Sequence, residues 1–222
     1  MTNKKTDLID RVLNLYVAAV SDAADELELS PVCMDRQIHP VTSNTRMAGF
    51  ARTGKLVRAP VQRPYDEEQL HDFMSLATEA GEGDIVAITS SGARECSVWG
   101  QVLTRIGKPK GLRGAVVDGT SRDIHDINRM NFPVFARGRH PATMRGRLDM
   151  ESVGQPIVCG GIVVRPGDLL FADGDGVVAI PQDRVEDVIA AAEEVVGTDT
   201  WWASKLEDGD DPHDLHEEKP IP

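Results

Sequence analysis

A short charged segment, residues 118–126 with the sequence DGTSRDIHD, contains the residue types best suited to chemistry. The apolar run at residues 114–117 predicts a short buried strand, and the Asp-Gly pair after it predicts a turn. That turn would present Arg122 beside Asp123. A cation and a carboxylate at the end of a core strand suit an anionic substrate and a metal ion. A solvated charge pair on a loop explains the same spacing equally well.

The start of a predicted helix offers a second candidate site. A buried strand is predicted at residues 84–89, a polar loop at residues 90–94, and a helix from about residues 97–100 to Ile106. The predicted inward face of this helix consists of Val98, Val102, Leu103 and Ile106. Free N–H groups and the helix dipole at such a start attract a carboxylate or phosphate. The same order also fits an ordinary connection between a strand and a helix.

Periodicity predicts the elements that must hold these residues in place. Helices are predicted at residues 7–27, at 66–80 with Asp66 as N-cap, at 124–130 and at 181–196. Strands are predicted at 49–51 and 55–58 around a turn at Thr53 and Gly54, and at 132–135, 156–159 and 160–164. Residues 169–172 and 177–180 flank an acidic glycine turn, which predicts a hairpin.

Composition bounds the class of protein. The chain has 222 residues, of which 41% are hydrophobic and 27% charged, which fits one large domain or two small ones. Its net charge of -12 argues against nucleic acid and against an anionic membrane surface as partners. The three cysteines have no pair spacing, so we expect small buried residues in a reducing compartment. We find no signal peptide or membrane span and expect a cytoplasmic protein.

Other patterns have plainer explanations. Gly81 and Gly83 precede a strand, whereas a dinucleotide loop follows one. The turn at residues 173–176 lacks the remaining ligands of a calcium loop. We expect solubility or subunit contacts from a basic patch between two predicted strands, which consists of Arg137, Arg139, His140, Arg145 and Arg147. We divide the chain into a domain at residues 1–197 and an acidic extension at 198–222 that is partly disordered.

Several motifs taken together resemble one family. They are Val20–Ala23, Ser97–Leu103, Gly111–Val117, Asp118–Asp123, Pro133–Gly138, Gly160–Gly161, Pro166–Asp168 and Ala172–Val177. In this combination the chain resembles the RraA-like group, which includes 4-hydroxy-4-methyl-2-oxoglutarate aldolases and protein regulators of ribonuclease E. The resemblance covers roughly residues 15 to 195.

The resemblance implies an α/β fold of the swivelling β/β/α type, with a mixed central sheet flanked by helices. It implies a homotrimer or a dimer of trimers with sites between subunits, and a class II aldolase that uses Mg²⁺ or Mn²⁺ to release pyruvate from a small 2-oxo acid. By position, Asp123 would bind the metal, and Arg122 would contact the keto oxygen or carboxylate of the substrate. The substrate carboxylate would be bound by the backbone amides of Gly100, Gln101, Val102 and Leu103. Oxaloacetate decarboxylation would follow from the same chemistry.

One position departs from the aldolase pattern. Active aldolases of the family carry an acidic residue where this chain has Gln101. A glutamine carbonyl accepts a hydrogen bond but supplies no negative charge, so metal affinity should be lower. The nearby Glu95 is a candidate for compensation. The regulators of ribonuclease E also lack the acidic residue, so Gln101 favours the alternative of a non-catalytic binding protein.

Overall fold

This computed structural model describes the backbone of residues 2–29, 31–60 and 67–220, and the side chains of residues 4–29, 31–60 and 70–220. Within those ranges the chain forms seven α-helices and eleven strands. The helices are α1 (Thr2–Val12), α2 (Val17–Glu26), α3 (Glu67–Thr78), α4 (Gln101–Gly107), α5 (Ile124–Arg129), α6 (Val185–Asp208) and α7 (Pro212–Glu218). The strands are β1 (His39–Pro40), β2 (Met47–Arg58), β3 (Asp84–Thr89), β4 (Ser97–Trp99), β5 (Gly114–Ser121), β6 (Val134–Arg139), β7 (Leu148–Val153), β8 (Ile157–Cys159), β9 (Ile162–Val164), β10 (Leu169–Asp173) and β11 (Gly176–Ile180).

Nine strands form one mixed sheet in the order β1-β6-β5-β3-β2-β10-β11, with β4 added beside β5 and β7 beside β2. Strands β2, β3, β5 and β6 run parallel, and β4 is parallel to β5. Helices α3, α4 and α5 connect successive parallel strands. Because the carboxyl ends of parallel strands meet at one edge, the turns after β3, β4 and β5 lie at the same edge of the sheet.

The helices flank the sheet and bury its faces. Helices α3, α4 and α5 share one apolar cluster with β2, β3 and β5, in which Leu76, Leu103 and Ile127 are buried. Helices α1, α2 and α6 pack on β10 and β11 around Phe171 and Val188. The hairpin β8-β9 contributes to a third cluster. The predicted class, a mixed sheet flanked by helices, is therefore confirmed.

The predicted helix at residues 7–27 is wrong in one respect, because α1 and α2 are separate. Long-range contacts made by the intervening residues account for the break. The Arg46 guanidinium donates to the carbonyl oxygens of Leu13 and Leu15. At the start of α2, the Val17 N–H donates to the Asp173 carboxylate at 2.9 Å. These contacts satisfy backbone groups that a continuous helix would pair internally.

The turn predicted at Thr53 and Gly54 is also wrong, because both residues lie inside the continuous strand β2. Gly54 packs so closely on Leu76 that an added Cβ would lie 2.9 Å from the leucine side chain. Thr53 is buried, and its hydroxyl donates to the Gln155 carbonyl at 2.7 Å. The N-cap proposed at Asp66 lies outside the described residues.

The C-terminal segment is helical up to Glu218, and the predicted helix end at Val196 is wrong. Helix α6 continues to Asp208, so the predicted domain boundary at residue 197 falls inside it. Trp202 is buried, and its indole N–H donates to the Lys219 carbonyl at 3.0 Å. After a short turn, α7 packs on α6 through buried Leu215.

The cysteine prediction holds for two residues of three. Cys96 and Cys159 are buried, and burial raises the pKa of both thiols. Cys33 is exposed, which corrects the prediction for that residue. Within the described ranges, every helix is too short or too polar to cross a bilayer.

Candidate functional site

Two adjacent parallel strands end together and create the candidate site. Strands β4 and β5 pair in parallel with Trp99 opposite Ser121, and each leads directly into a helix. Gly100 connects β4 to α4, while Arg122 and Asp123 connect β5 to α5. The Arg122 N–H donates to the Trp99 carbonyl at 3.0 Å, which ties the two connections together. Both sequence-predicted sites, the charged pair and the start of the helix after β4, thus converge.

Gly100 permits this convergence through its lack of a side chain. A Cβ at this position would lie 2.8 Å from Asp123 Oδ2 and 3.4 Å from Arg122 Cγ. The φ angle of Gly100 is -169°, which any residue adopts. The requirement for glycine is therefore the close approach of the Asp123 carboxylate.

Asp123 is held in an uncommon backbone conformation. Its φ and ψ angles are 58° and 31°, in the left-handed region that few residues other than Gly, Asn and Asp adopt. The carboxylate oxygen Oδ2 accepts the Gln101 N–H at 3.2 Å and lies 3.8 Å from Arg122 Nε. The Asp123 side chain is 28% exposed and the Arg122 side chain 38% exposed. Both charged groups therefore keep access to solvent.

A buried hydrogen-bond chain fixes the start of α4. The Trp99 indole N–H donates to Thr104 Oγ1 at 3.1 Å, and that hydroxyl donates to the Gly100 carbonyl at 3.1 Å. The Trp99 ring stacks on Phe132 with 6.2 Å between centroids. Because rigid surroundings hold reactive groups in place, this packing positions the backbone that contacts Asp123.

A cavity of about 210 Å³ opens beside these residues. Five of the six sequence-predicted site residues line it, namely Gly100, Val102, Leu103, Arg122 and Asp123. Gln101 does not line it, and its side-chain oxygen instead accepts from Arg105 Nε at 3.3 Å. The predicted inward orientation of Val102 is wrong, because this side chain is 58% exposed.

Sequence reasoning missed part of the cavity wall. Helix α3 contributes Leu70, Phe73 and Met74, and the segment before β7 contributes Thr143, Met144 and Arg145. The apolar face of α3 was predicted from its periodicity, but nothing local indicated that this face reaches the site. The segment predicted as a helix start at residues 97–99 is strand β4, which brings Ser97 and Val98 to the same wall.

The turn predicted at Asp118 and Gly119 is wrong, because β5 continues to Ser121. Gly119 packs against Ser90, whose Oγ would lie 2.6 Å from an added Cβ. Asp118 forms an ion pair with Arg137 Nε and accepts the Gly160 N–H at 2.8 Å. Its role is therefore to anchor neighbouring elements to β5.

Arg137 belongs to a partly buried ion-pair network, so it is less accessible than expected for a solubilising basic patch. Its side chain is 11% exposed, and it also contacts the Asp35 carboxylate at 2.8 Å. The hydrogen bond from Arg137 to Asp118 raises the pKa of the guanidinium, so this group stays charged.

Replacing Asp118 with asparagine should destabilise the fold by about 3 kcal/mol, because it removes one carboxylate from a largely buried pair. Denaturant unfolding monitored by circular dichroism measures this change. The matched control is Asp187→Asn, since the exposed Arg184–Asp187 pair should contribute less than about 0.5 kcal/mol. Equal effects of the two substitutions would contradict the anchoring role of Asp118.

Comparison with known proteins identifies the family. The family model RraA-like, described as Aldolase/RraA, matches residues 17–179. The chain belongs to the RraA-like family. A relative from Halalkalibacterium halodurans, named "Putative 4-hydroxy-4-methyl-2-oxoglutarate aldolase", is 31% identical over 86% of this chain and 85% of its own length.

Two further matches extend the comparison. Protein DlpA from Legionella pneumophila is 27% identical over 82% of this chain, which spans only 29% of the length of DlpA. The crystal structure of an uncharacterized protein from Pseudomonas syringae pv. tomato has a TM-score of 0.81 and 27% identity. That match covers 95% of this chain and 97% of the other. The similarity thus extends over nearly the whole fold.

The donor set at the RraA-like site fits a hydrated divalent ion. Among the described residues, no three His, Cys, Asp or Glu side chains are grouped to hold a metal ion. The cavity lining within those ranges contains one carboxylate, Asp123. Mg²⁺ keeps several waters and uses one or two carboxylates together with oxygens of its substrate, so a single exposed carboxylate matches its preference.

Glu95 does not replace the acidic residue that active aldolases carry at the position of Gln101. Its carboxylate pairs with Arg58 and accepts the Arg94 N–H at 2.9 Å. The hydrogen bond from its own backbone N–H and the Arg58 contact lower the pKa of Glu95. Glu95 is absent from the cavity lining. The hypothesis that it compensates for Gln101 therefore has no support in this geometry.

Proposed function

We propose that this RraA-like protein is a divalent-metal-dependent carbon–carbon lyase that releases pyruvate from a small 2-oxo acid. One observation carries the proposal: Arg122 and Asp123 line one cavity together with the first turn of α4. A cation, a metal-binding carboxylate and backbone N–H donors are the groups that such a substrate requires.

The start of α4 would bind the substrate carboxylate. The first hydrogen bond of this helix runs from the Thr104 N–H to the Gly100 carbonyl at 3.3 Å. The N–H groups of Val102 and Leu103 precede that bond, so they have no acceptor within the helix. Since the Gln101 N–H already donates to Asp123, the two following amides are the ones proposed to contact substrate.

Arg122 would stabilise the negative charge that develops on the substrate. In aldol cleavage the C4 hydroxyl loses its proton to solvent, the C3–C4 bond breaks with its electron pair staying on the pyruvyl fragment as an enolate, and C4 leaves as a carbonyl group. The enolate then takes up a proton from solvent at C3 to give pyruvate. The Arg122 guanidinium, on a residue whose backbone N–H is hydrogen-bonded to Trp99, would provide positive charge for the enolate oxygen. Loss of carbon dioxide from oxaloacetate gives the same enolate, so decarboxylation should accompany aldol cleavage.

Asp123 would hold a divalent ion, Mg²⁺ or Mn²⁺, at the cavity. Such an ion, when bound, acts as a Lewis acid toward the keto oxygen of a 2-oxo acid. The carboxylate is directed by its left-handed backbone and by the Gln101 N–H. Its partial exposure leaves room for water ligands.

The experiment that tests the function is pyruvate release from 4-hydroxy-4-methyl-2-oxoglutarate and from oxaloacetate. A coupled lactate dehydrogenase assay with Mg²⁺ or Mn²⁺ measures it, and protein-free reactions correct for metal-driven decay of oxaloacetate. Pyruvate formation that is lost with a chelator and restored by metal supports the proposal. Absence of pyruvate from both substrates and from 4-hydroxy-2-oxo-4-phenylbutanoate, over a panel of divalent ions, contradicts it.

We also propose that the chain assembles as a homotrimer or a dimer of trimers. The exposed Val102 beside the cavity, together with exposed Val158 and Val163 on β8 and β9, supports a contact between copies. Analytical ultracentrifugation tests this assembly, and a monomer at micromolar concentration would contradict it.

A second candidate function is a non-catalytic regulatory protein of the ribonuclease E inhibitor type. Gln101 favours it, because its neutral side chain contacts Arg105 and lies outside the cavity lining. An RNA cleavage assay with such an endonuclease separates the two functions. Inhibition without any pyruvate release would favour regulation.

A further inference from the structure

The cavity beside Arg122 and Asp123 has a wall whose chemistry the proposed function does not use. Eight of the fourteen described residues that line it are hydrophobic. Helix α3 provides Leu70, Phe73 and Met74, and Met144 adds to this apolar wall. Phe73 and Met74 are half-buried, so each retains surface that a ligand can cover.

The polar side chains on the wall are mostly engaged within the protein. Ser97 Oγ donates to the His140 carbonyl and contacts Thr120. Thr143 Oγ1 accepts the Arg145 N–H at 3.3 Å. Within the described part of the chain, two cationic side chains line the cavity, those of Arg122 and Arg145. Arg145 is exposed to solvent.

These surroundings favour an apolar group over a second carboxylate. Covering Leu70, Phe73 and Met74 with a hydrocarbon group removes apolar surface from water, which is favourable. Placing a carboxylate against the same side chains strips its hydration and offers no matching donors. A cavity of about 210 Å³ exceeds the roughly 150 Å³ that accommodates benzene, so a group as large as a phenyl ring fits within it.

We propose that the substrate is a 4-hydroxy-2-oxo acid whose C4 carries an alkyl or aryl group in place of a second carboxylate. The inference rests on the proposed lyase function for its 2-oxo acid end, at Arg122 and Asp123. The apolar wall binds the opposite end of the substrate, the alkyl or aryl group on C4. The leaving product is then an apolar aldehyde or ketone of up to about seven carbons, because a phenyl-sized group carries six carbons and C4 adds one.

Arg145 provides the competing possibility. Its side chain lines the cavity and could pair with a distal carboxylate. An exposed guanidinium gains little from such a pair in water, so we expect it to contribute less than the wall of α3. The test therefore includes this residue.

The first measurement compares kcat/KM for pyruvate release from 4-hydroxy-2-oxo-4-phenylbutanoate and 4-hydroxy-2-oxoglutarate, with Mn²⁺ present. We expect the phenyl compound to be favoured by at least about 10-fold, the change produced by one to two buried methylene groups. Equal values, or preference for the dicarboxylate, would overturn the inference while leaving the lyase function intact.

Variants of the wall provide an independent readout. Met74→Lys should shift the kcat/KM ratio at least about 10-fold toward the dicarboxylate, because it adds a cation beside a desolvated anion. Met74→Leu, which conserves volume and polarity, should keep the ratio on the phenyl side. Arg145→Gln should leave the ratio on that side as well. Suppose instead that the wild type favours the dicarboxylate and that Arg145→Gln selectively loses dicarboxylate cleavage. Arg145 is then the residue that sets specificity, and the inference is refuted.

If no substrate releases pyruvate, the lyase function is rejected. Ligand binding then tests the apolar wall independently of catalysis. Calorimetric titration with Mn²⁺ then compares 2-oxo-4-phenylbutanoate with 2-oxoglutarate, neither of which has the 4-hydroxyl needed for aldol cleavage. Tighter binding of the phenyl compound by at least about 10-fold, lost in Met74→Lys, supports the apolar wall as the selecting surface. If the phenyl compound binds equally or more weakly than 2-oxoglutarate, the inference is overturned.

Discussion

Replacing Asp123 with asparagine should lower the rate of pyruvate formation by at least about 100-fold and leave the fold intact. Asparagine has the shape of aspartate and tolerates the left-handed backbone that Asp123 adopts at φ 58°. Its amide oxygen can still accept the Gln101 N–H, so the local geometry should persist. The negative charge is lost, and with it the charge that attracts a divalent ion.

Two measurements on this variant separate charge from structure. Titration of Mn²⁺ should show at least about 10-fold weaker binding, and the melting temperature should stay within about 3 °C of wild type. Asp126→Asn is the matched control, because Asp126 lies in the first turn of α5 and outside the cavity lining. Activity of Asp123→Asn equal to that of Asp126→Asn would show that the site assignment is wrong.

Gly100→Ala should reduce kcat/KM by about 100-fold, solely because the added methyl group displaces the Asp123 carboxylate or the start of α4. The new methyl group would lie 2.8 Å from Asp123 Oδ2, so the carboxylate or the α4 start must shift. Backbone strain does not contribute, because the φ of -169° at Gly100 suits alanine. A misplacement of about 1 Å in a catalytic group has an effect of this size.

The control for this substitution is Gly174→Ala, in the turn between β10 and β11. An added Cβ at Gly174 has no neighbouring atom within 4 Å. The kcat/KM of Gly174→Ala should therefore match that of the wild type within about twofold. Both glycine variants should fold, as judged by circular dichroism. If Gly100→Ala retained wild-type kcat/KM, the close packing of Gly100 on Asp123 would have no part in function.

The candidate site was predictable where local signals agree with the fold. The apolar run before residue 118 marks β5, and the charged pair after it lies at a cavity. Strand β3 and the hairpin β10-β11 also follow from pattern alone. In each case periodicity and the flanking residues indicate the same element.

The clearest errors in predicting turns from the sequence were made at glycines, and they have a physical reason. Next to short polar residues, Gly54 and Gly119 favour turns, yet both lie in strands. Each is glycine because another element packs there, Leu76 on the first and Ser90 on the second. A sequence shows that a side chain is missing, but only the packed structure shows which neighbour occupies the space.

The cavity wall was hidden for a related reason. The stripe of apolar residues on α3 indicates a buried face, and Leu76 and Ala77 are indeed buried in the core. Phe73 and Met74 belong to the same face but line the cavity. Periodicity cannot separate side chains that pack on the sheet from side chains that border a cavity, since both are apolar and inward.

The packing of α6 against the N-terminal helices has a consequence for how the chain folds. Arg11 on α1 pairs with Glu193 on α6, 182 residues further along the chain. Leu8, Val12 and Val20 share an apolar cluster with Val188 and Ile189. During synthesis on the ribosome, α1 and α2 therefore remain without their main partner until nearly the whole chain has emerged. Their apolar faces stay uncovered until then, so completion of this layer should be a late event in folding.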